Sequence, residues 1–260
     1  MSEIKNVVLV GSGNMATHLG LALHGAGKNI LQVISRKLEN ARKLAEKIDS
    51  VSLDDIGKIS PQADLVILSV SDFAISGMAE KMKLKDQLLV HTSGVVPMEI
   101  LQTASENTGV LYPLSTFSKH KGMNFDEIEI FVEAAKKENQ EKLLKLAGEI
   151  SKKVYLLSGE QRKIVHLAAV YASNFTNQMY RISEMILKEY GLDFELMRPI
   201  ILETAKKVQD SSPSEVQTGP AVREDINTIA EHLDLLRKHP ELTELYKRIT
   251  YNIIHFKDKS

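Results

Sequence analysis

The sequence predicts an α/β protein in which a Rossmann doubly wound parallel sheet is followed by an all-helical C-terminal domain. Three observations predict this arrangement. Short apolar, β-branched runs alternate with helical patterns over roughly the first 157 residues. A glycine-rich turn follows the first of these runs. From Gly159 onward no strand pattern is found. In a chain of 260 residues we therefore expect two domains, 1–157 and 158–260.

The elements follow from apolar periodicity and from turn-forming residues. The first strand, Val7–Val10, ends at a glycine, as a buried parallel strand often does. The other predicted strands are Ile30–Ile34, Leu65–Val70, Gln87–His91 and Gly109–Tyr112, with weaker patterns at Ile128–Val132 and Val154–Leu157. The predicted helices are Met15–His24, Leu38–Ile48, Asn139–Ile150, Gln161–Glu189, Asp193–Gln209, Ala221–Arg237 and Pro240–Phe256.

Composition excludes several classes of function. The net charge is −1 and charged residues make up 26% of the chain, so nothing favours a nucleic acid or an anionic membrane as partner. Without cysteine, the chain has no disulfide, thiol nucleophile or thiolate metal site. No apolar stretch reaches the roughly 18 residues of a membrane span. These features lead us to expect a cytoplasmic protein.

The glycine-rich turn, Gly11-Ser12-Gly13-Asn14-Met15-Ala16, has the pattern G-x-G-x-x-A between a strand and a helix. In this context the first glycine permits a tight turn and the second lets the backbone approach a pyrophosphate at the helix N-terminus. The turn therefore predicts a dinucleotide site.

The end of the second strand indicates which dinucleotide is bound. NAD-binding domains place an acidic residue there to hold the ribose hydroxyls. This chain instead has Ser35-Arg36-Lys37, whose hydroxyl and two cations suit a 2′-phosphate. We therefore expect NADP rather than NAD. Val70 and Ser71, at the end of the third strand, are expected to contact ribose or phosphate, and Asp72 either shares this role or caps the next helix.

Several segments together resemble one protein family. They are GSGNMATHL, LSVSD, HTSG at His91–Gly94, YPLSTFS at Tyr112–Ser118 and TGPAVREDINTIAEHL at Thr218–Leu233. The chain resembles an uncharacterised bacterial family with a Rossmann-like NADP-binding domain and a helical domain of unknown function. Members are often labelled deazaflavin-dependent NADP oxidoreductases. Distant relatives are pyrroline-5-carboxylate reductase, ketopantoate reductase and the β-hydroxyacid dehydrogenases.

The resemblance also bears on the chemistry. Relatives often have His-Pro where this chain has Tyr112-Pro113. β-Hydroxyacid dehydrogenases have a Lys before an Asn-Asn pair; if Ser173-Asn174 matches that pair, the Lys position falls on Val170. The resemblance thus implies that the usual proton donor is absent, with His166 as a substitute.

The candidate catalytic residues lie on an uncharged helix. Ile164–Tyr180 contains no Asp, Glu, Lys or Arg, so we expect it to be buried by the Rossmann domain or by a partner subunit. In an α-helix, His166, Ser173 and Asn177 would fall within about 40° of one another, with Asn174 beside them. This stripe either lines the cleft between the domains or makes a helix–helix or dimer contact. Phe175, Met179 and Met185 flank it and favour a homodimer.

Two further segments supply candidate ligand contacts. Thr92 and Ser93, after the fourth strand, are expected to orient the nicotinamide amide or the substrate, whereas His91 is expected to be a core residue. Thr218-Gly219-Pro220 is predicted to cap a helix, whose N-terminus together with Arg223 would hold a substrate carboxylate. The alternative is an ordinary capped helix with a surface arginine. The histidines show no metal-ligand spacing.

The function predicted first is an NADP-dependent oxidoreductase acting on a small imine or carbonyl compound. Its predicted catalytic residues are His166, Ser173, Asn174 and Ser93. Its predicted cofactor-binding residues are Gly11, Ser12, Gly13, Asn14, Met15, Ser35, Arg36, Lys37, Val70, Ser71 and Thr92. Two alternatives remain open: a non-catalytic NADP-binding sensor or regulator, and a deazaflavin–NADP transhydrogenase.

Overall fold

The sheet of the computed structural model, which describes residues 3–117 and 123–255, has eight strands in the order β3-β2-β1-β4-β5-β6-β7-β8. The strands are β1 Asn6–Val10, β2 Asn29–Ile34, β3 Val51–Leu53, β4 Leu65–Leu68, β5 Leu88–His91, β6 Thr108–Leu114, β7 Glu129–Ala134 and β8 Val154–Leu156. All neighbours pair in parallel except β6 and β7, which are antiparallel. The predicted Rossmann α/β class is confirmed.

The helices are α1 Asn14–Gly25, α2 Leu38–Ala45, α3 Asp72–Ala79, α4 Lys137–Gly148, α5 Gly159–Ala169, α6 Thr176–Glu189, α7 Arg198–Asp210, α8 Ile226–Leu235 and α9 Pro240–His255. A π-helical segment, Val170–Phe175, joins α5 to α6 without a break. Packing divides the chain into one compact unit up to Asn177 and a second from Gln178 onward. Residues 158–177, predicted as part of the helical domain, thus fall within the first of these units.

Alternation along the central strands explains why helices cover both faces of the sheet. In β1, Val7 and Leu9 belong to one buried cluster, which includes Leu19 of α1. Val8 and Val10 belong to another, which includes Ile75 of α3. Side chains of a strand point alternately to opposite faces, so a fully apolar strand requires cover on both.

The chain reverses its direction across the sheet between β1 and β4. From β1 it proceeds to β2 and β3 on one side, and then returns to place β4 on the other side. In open α/β sheets a ligand site forms outside the carboxyl ends of the strands at such a switch point. This topology places the candidate site above β1 and β4.

Several predicted boundaries were wrong. The short strand β3 was not predicted, and β7 runs antiparallel although a parallel sheet was expected. The strand predicted as Leu65–Val70 ends at Leu68. The helix predicted to begin at Ala221 begins at Ile226, because the Asp225 carboxylate caps it by accepting from the Thr228 N–H at 3.1 Å. Ser118 and Phe256, which end two predicted segments, lie outside the described residues.

The uncharged helix is exposed rather than buried within the chain. Ile164, Leu167 and Tyr171 are 68%, 58% and 64% exposed. Its lack of charge therefore does not arise from burial against the Rossmann sheet.

Among the described residues, no helix combines the length and the apolar character that a membrane span requires.

Candidate functional site

A pocket of about 580 Å³ lies at the carboxyl ends of β1, β2 and β4. Its lining consists of Gly11, Ser12, Gly13, Asn14, Met15, Ile34, Ser35, Arg36, Lys37, Asn40, Ser69, Val70, Ser71, Ala74, Met78 and Thr92. The structure thus brings together every residue predicted to bind the cofactor. A second depression, of about 490 Å³, lies at the opposite, amino ends of the strands. Ligands of such sheets bind at the carboxyl ends, so the first pocket is the candidate site.

The two fingerprint glycines have different structural roles. Gly11 has φ = 127°, and a Cβ there would overlap the carbonyl of Ser69, the residue that follows β4. Gly13 occupies the N-cap of α1, and a Cβ there would meet no atom within 4 Å. Space is therefore left above the α1 N-terminus, where backbone N–H groups and the helix dipole favour an anion. A pyrophosphate fits this cradle.

The far end of the pocket is cationic. Arg36 and Lys37 are exposed and form no ion pair among the described residues. The nearby Glu39 is held by Lys43 in a 2.6 Å ion pair on the outer face of α2. No described acidic side chain lines the pocket. This end suits a phosphate better than a pair of ribose hydroxyls.

Hydroxyl and amide groups organise the middle of the pocket. The Ser12 and Ser35 hydroxyls share a 2.7 Å hydrogen bond, which links the turn after β1 to the end of β2. The Thr92 hydroxyl donates to Ser69 Oγ at 3.4 Å. Asn14 donates its amide to the Phe117 carbonyl at 2.8 Å. Ser71 takes the N-cap position of α3 and Asp72 is its first residue, so Asp72 does not itself cap the helix.

The HTSG segment forms a buried turn after β5. His91 is fully buried, and its Nδ1 accepts from the Ser93 N–H at 3.1 Å. Burial, and then the Arg162 cation, lower the His91 pKa to about 4, so this ring is neutral at neutral pH. Ser93 Oγ accepts from the N–H groups of Val95 and Val96. The Ser93 hydroxyl therefore shapes the turn, and its catalytic role stays a prediction.

His166, on α5, lies against this turn. A Cβ on Gly94 would lie 2.5 Å from His166 Nδ1, so only glycine leaves room for the ring. The same nitrogen is hydrogen-bonded to the Tyr112 hydroxyl on β6 at 2.9 Å. Burial raises the pKa of Tyr112 to about 12, so the phenol keeps its proton. The structure thus joins a predicted catalytic histidine to a tyrosine that was not among the predicted catalytic residues.

Ser173 and Asn174 lie in the π-helical segment. There the Thr176 hydroxyl donates to the Tyr171 carbonyl five residues earlier, at 3.1 Å. A π-turn adds a residue to the helical repeat, so the α-helical spacing from which the stripe of His166, Ser173 and Asn177 was predicted does not apply across this segment. Ser173 is half-buried and Asn174 is exposed. Because π-segments often occur at functional sites, these two residues remain candidates.

The residues predicted to bind substrate lie in the helical unit. Thr218 lines an apolar pocket of about 240 Å³ there, beside a hydrogen-bonded pair of His232 and Tyr246 at 2.8 Å. Gly219 has φ = 111°, and Arg223 is exposed. The predicted cap at Thr218-Gly219-Pro220 was wrong, because these residues lie in turns that precede the helix start. In the described parts of the chain no cluster of side chains could hold a metal ion.

Comparisons with known proteins agree with this architecture. Residues 2–112 match the family described as shikimate/quinate 5-dehydrogenase, and residues 128–253 match a domain of unknown function, DUF2520. A Bacteroides fragilis protein described as a "putative NADP oxidoreductase" is 41% identical, with a TM-score of 0.89 over 96% of this chain and 98% of that one. A Thermotoga maritima protein is 25% identical, with a TM-score of 0.75 over 97% and 98% of the two chains.

More distant similarities concern the fold or a short segment. Pyrroline-5-carboxylate reductase from Coxiella burnetii shares 15% identity, with a TM-score of 0.58 over 99% of this chain and 98% of that one. A glutamyl-tRNA reductase of Legionella pneumophila is 44% identical over 64 residues, which are 24% of this chain. The match spans 15% of that enzyme's length. The Coxiella burnetii enzyme thus shares the fold of this chain, whereas the glutamyl-tRNA reductase match is confined to a short segment.

Proposed function

The chain belongs to the protein family that joins a Rossmann NAD(P)-binding domain to the domain DUF2520, and we propose that it is an NADP-dependent oxidoreductase acting on a small imine or carbonyl compound. The name of the Bacteroides fragilis relative supports the same class of reaction and the same cofactor.

The cationic end of the pocket is the observation that carries the proposal. Arg36 and Lys37 have no ion-pair partner among the described residues, and Glu39 is held by Lys43. A 2′-phosphate supplies the missing counter-charge, whereas NADH offers only hydroxyls there. The cofactor is therefore NADPH or NADP.

Different residues of the protein then bind the cofactor and protonate the substrate. Gly13 and the α1 N-terminus hold the pyrophosphate, and Arg36 and Lys37 hold the 2′-phosphate. When bound, the dinucleotide supplies the hydride. His166 gives a proton to the carbonyl oxygen or imine nitrogen, because its imidazole adjoins the HTSG turn after β5.

A titration with matched variants tests the cofactor assignment. We expect NADPH to bind at least about tenfold more tightly than NADH, a difference of about 1.4 kcal/mol. Arg36→Glu should remove this preference. Arg42→Glu makes the same charge change on an exposed residue that does not line the pocket, and it should preserve the preference. Equal affinities of the wild type for the two nucleotides would refute the assignment.

Turnover is tested separately. Pyrroline-5-carboxylate and a panel of small ketones, aldehydes and cyclic imines are offered with NADPH, and loss of NADPH absorbance is followed. We expect the protein to reduce one of these classes of carbonyl or imine compound. His166→Asn should slow that reduction by about a hundredfold. Tight NADPH binding without turnover of any class would instead favour the non-catalytic NADP-binding protein.

A further inference from the structure

Arg162 is a buried cation that ties α5 to the sheet. It is 1% exposed, and its guanidinium donates to the carbonyls of Ser93 at 2.8 Å and Val96 at 3.0 Å. It also pairs with the Glu133 carboxylate on β7 at 3.1 Å. The other oxygen of Glu133 accepts from the Gly159 N–H at 2.9 Å. A buried charge is tolerated only when it is paired and hydrogen-bonded, so these contacts fix the first turns of α5 against the HTSG turn.

This clamp determines where His166 lies. His166 is four residues after Arg162, so both side chains project from the same face of α5. The imidazole therefore lies against Gly94 and Tyr112, both of which approach its Nδ1 atom. The Tyr112 and His166 rings meet edge to face, with their centroids 6.1 Å apart. In His166, Nδ1 is hydrogen-bonded to Tyr112. Among the described residues, Nε2 has no hydrogen-bond partner.

The direction of the Tyr112–His166 hydrogen bond follows from the surroundings of the phenol. Tyr112 is 6% exposed, and His166 Nδ1 is the hydrogen-bond partner that the described residues give its hydroxyl. If Nδ1 carried a hydrogen and donated it, the phenolic hydrogen would be buried without an acceptor, which costs about 1–3 kcal/mol. The phenol therefore donates to Nδ1. The hydrogen of the neutral imidazole is then on Nε2.

We infer that Tyr112 is a positioning residue that holds His166 as the Nε2–H tautomer. Tyr112 also gives its phenolic proton to His166 Nδ1 when Nε2 protonates the substrate. The inference rests on the proposed function, in which His166 protonates the substrate. As hydride from NADPH reaches the substrate carbon, the Nε2–H bond breaks and an O–H or N–H bond forms on the substrate. Nδ1 takes the phenolic proton, which leaves a phenolate that burial disfavours and that the positive charge of Arg162 partly offsets.

The proton balance closes after product release. Nε2 of the half-buried imidazole takes up one proton from bulk solvent, which is the proton that the reduction consumes, and the proton on Nδ1 returns to Tyr112. Transfer toward the substrate is favourable because the oxyanion or amide anion left by hydride addition is a stronger base than a phenolate. No further reductant or oxidant is required. The relay explains how a neutral histidine can protonate a substrate.

Histidine tautomers can be read directly from long-range ¹H–¹⁵N spectra of ¹⁵N-histidine-labelled protein without nucleotide. Comparison with His166→Asn assigns the signals. In the wild type we expect His166 to be the Nε2–H tautomer, and in Tyr112→Phe a mixture of both tautomers. Tyr155→Phe is the matched control, because Tyr155 is 49% exposed and packs against Phe131 instead. This control should leave the His166 signals unchanged.

Kinetics complete the test. Tyr112→Phe should slow turnover of the panel compound that the wild type reduces by at least about tenfold, with NADPH affinity unchanged. A wild-type Nδ1–H tautomer, or a tautomer unaffected by Tyr112→Phe, would overturn the inference. Absence of NADPH binding would instead defeat the proposed function, and the tautomer would still be decided because it is measured without nucleotide.

Discussion

At the scale of single residues, His91 couples the stability of the HTSG turn to pH. Its folded-state pKa of about 4 lies below the ordinary value of 6.5, because burial and Arg162 disfavour the imidazolium. The unfolded chain therefore binds a proton at a pH at which the folded chain does not. Stability from His91 is complete above about pH 6.5 and is lost as the pH falls toward 4, by up to about 3 kcal/mol.

Replacing this histidine should reduce the loss of stability in acid. In His91→Asn the side-chain oxygen can still accept from the Ser93 N–H, but the group no longer takes up a proton. We expect the unfolding free energy from urea titrations to fall less between about pH 7 and about pH 4.5 than in the wild type. If both proteins lose the same stability in acid, the pKa of His91 is not lowered by folding.

Which site residues could be predicted depends on their separation in sequence. Gly11, Gly13 and Arg36 belong to local motifs with fixed spacing, so a single sequence is enough to find them. The contacts of His166 with Tyr112 and of Arg162 with Ser93 join residues 54 and 69 positions apart. No local pattern encodes such pairs. Arg162 was overlooked because arginines are mostly exposed, and its burial depends on Glu133 from a distant strand.

At the scale of elements, the two glycines of the β1–α1 turn have different roles: Gly11 is required by the backbone conformation, and Gly13 leaves space for the ligand. Gly11→Ala should cost several kcal/mol, because its φ is positive and its Cβ overlaps the Ser69 carbonyl. Gly13→Ala should cost about 1 kcal/mol or less, but weaken NADPH binding at least about tenfold by filling the pyrophosphate space. Thermal unfolding and NADPH titration measure the two effects.

Gly25→Ala provides the matched control for these substitutions. Gly25 ends the same helix, and a Cβ there would also meet no atom within 4 Å. It lies far from the pocket lining, so this variant should keep both wild-type stability and wild-type affinity. If Gly13→Ala binds NADPH as tightly as Gly25→Ala does, the pyrophosphate does not lie at the α1 N-terminus.

Elements with strong periodicity could be predicted, and irregular ones could not. Buried strands such as Val7–Val10 have continuous apolar runs, whereas β3 has only three residues with no buried side chain among them. The π-segment within Gln161–Glu189 leaves no signature in a pattern read at 3.6 residues per turn. The start of α8 was misplaced because Pro220 resembles a first helical residue, whereas the capping carboxylate is Asp225.

At the scale of the whole molecule, the helical unit has almost no core of its own. Among its described residues, from Gln178 to His255, Ala221 alone is buried. Large apolar side chains are instead exposed, among them Ile200 at 61%, Ile226 at 76% and Tyr251 at 61%. A unit of this size needs buried apolar area or a partner to be stable, and exposed apolar surface of this extent marks an interface.

We expect the partner to be a second copy of this chain, because obligate homodimer interfaces resemble a domain core cut in half. Light scattering at micromolar concentration should give twice the chain mass. Ile226→Asp should shift the protein toward a single-chain mass and lower the thermal stability of its helices, since a charge then replaces apolar contact area. Lys206→Asp, an exposed charged position on α7, should leave the dimer intact. A wild-type protein with single-chain mass and a concentration-independent melting temperature would show that the helical unit is stabilised without a second copy.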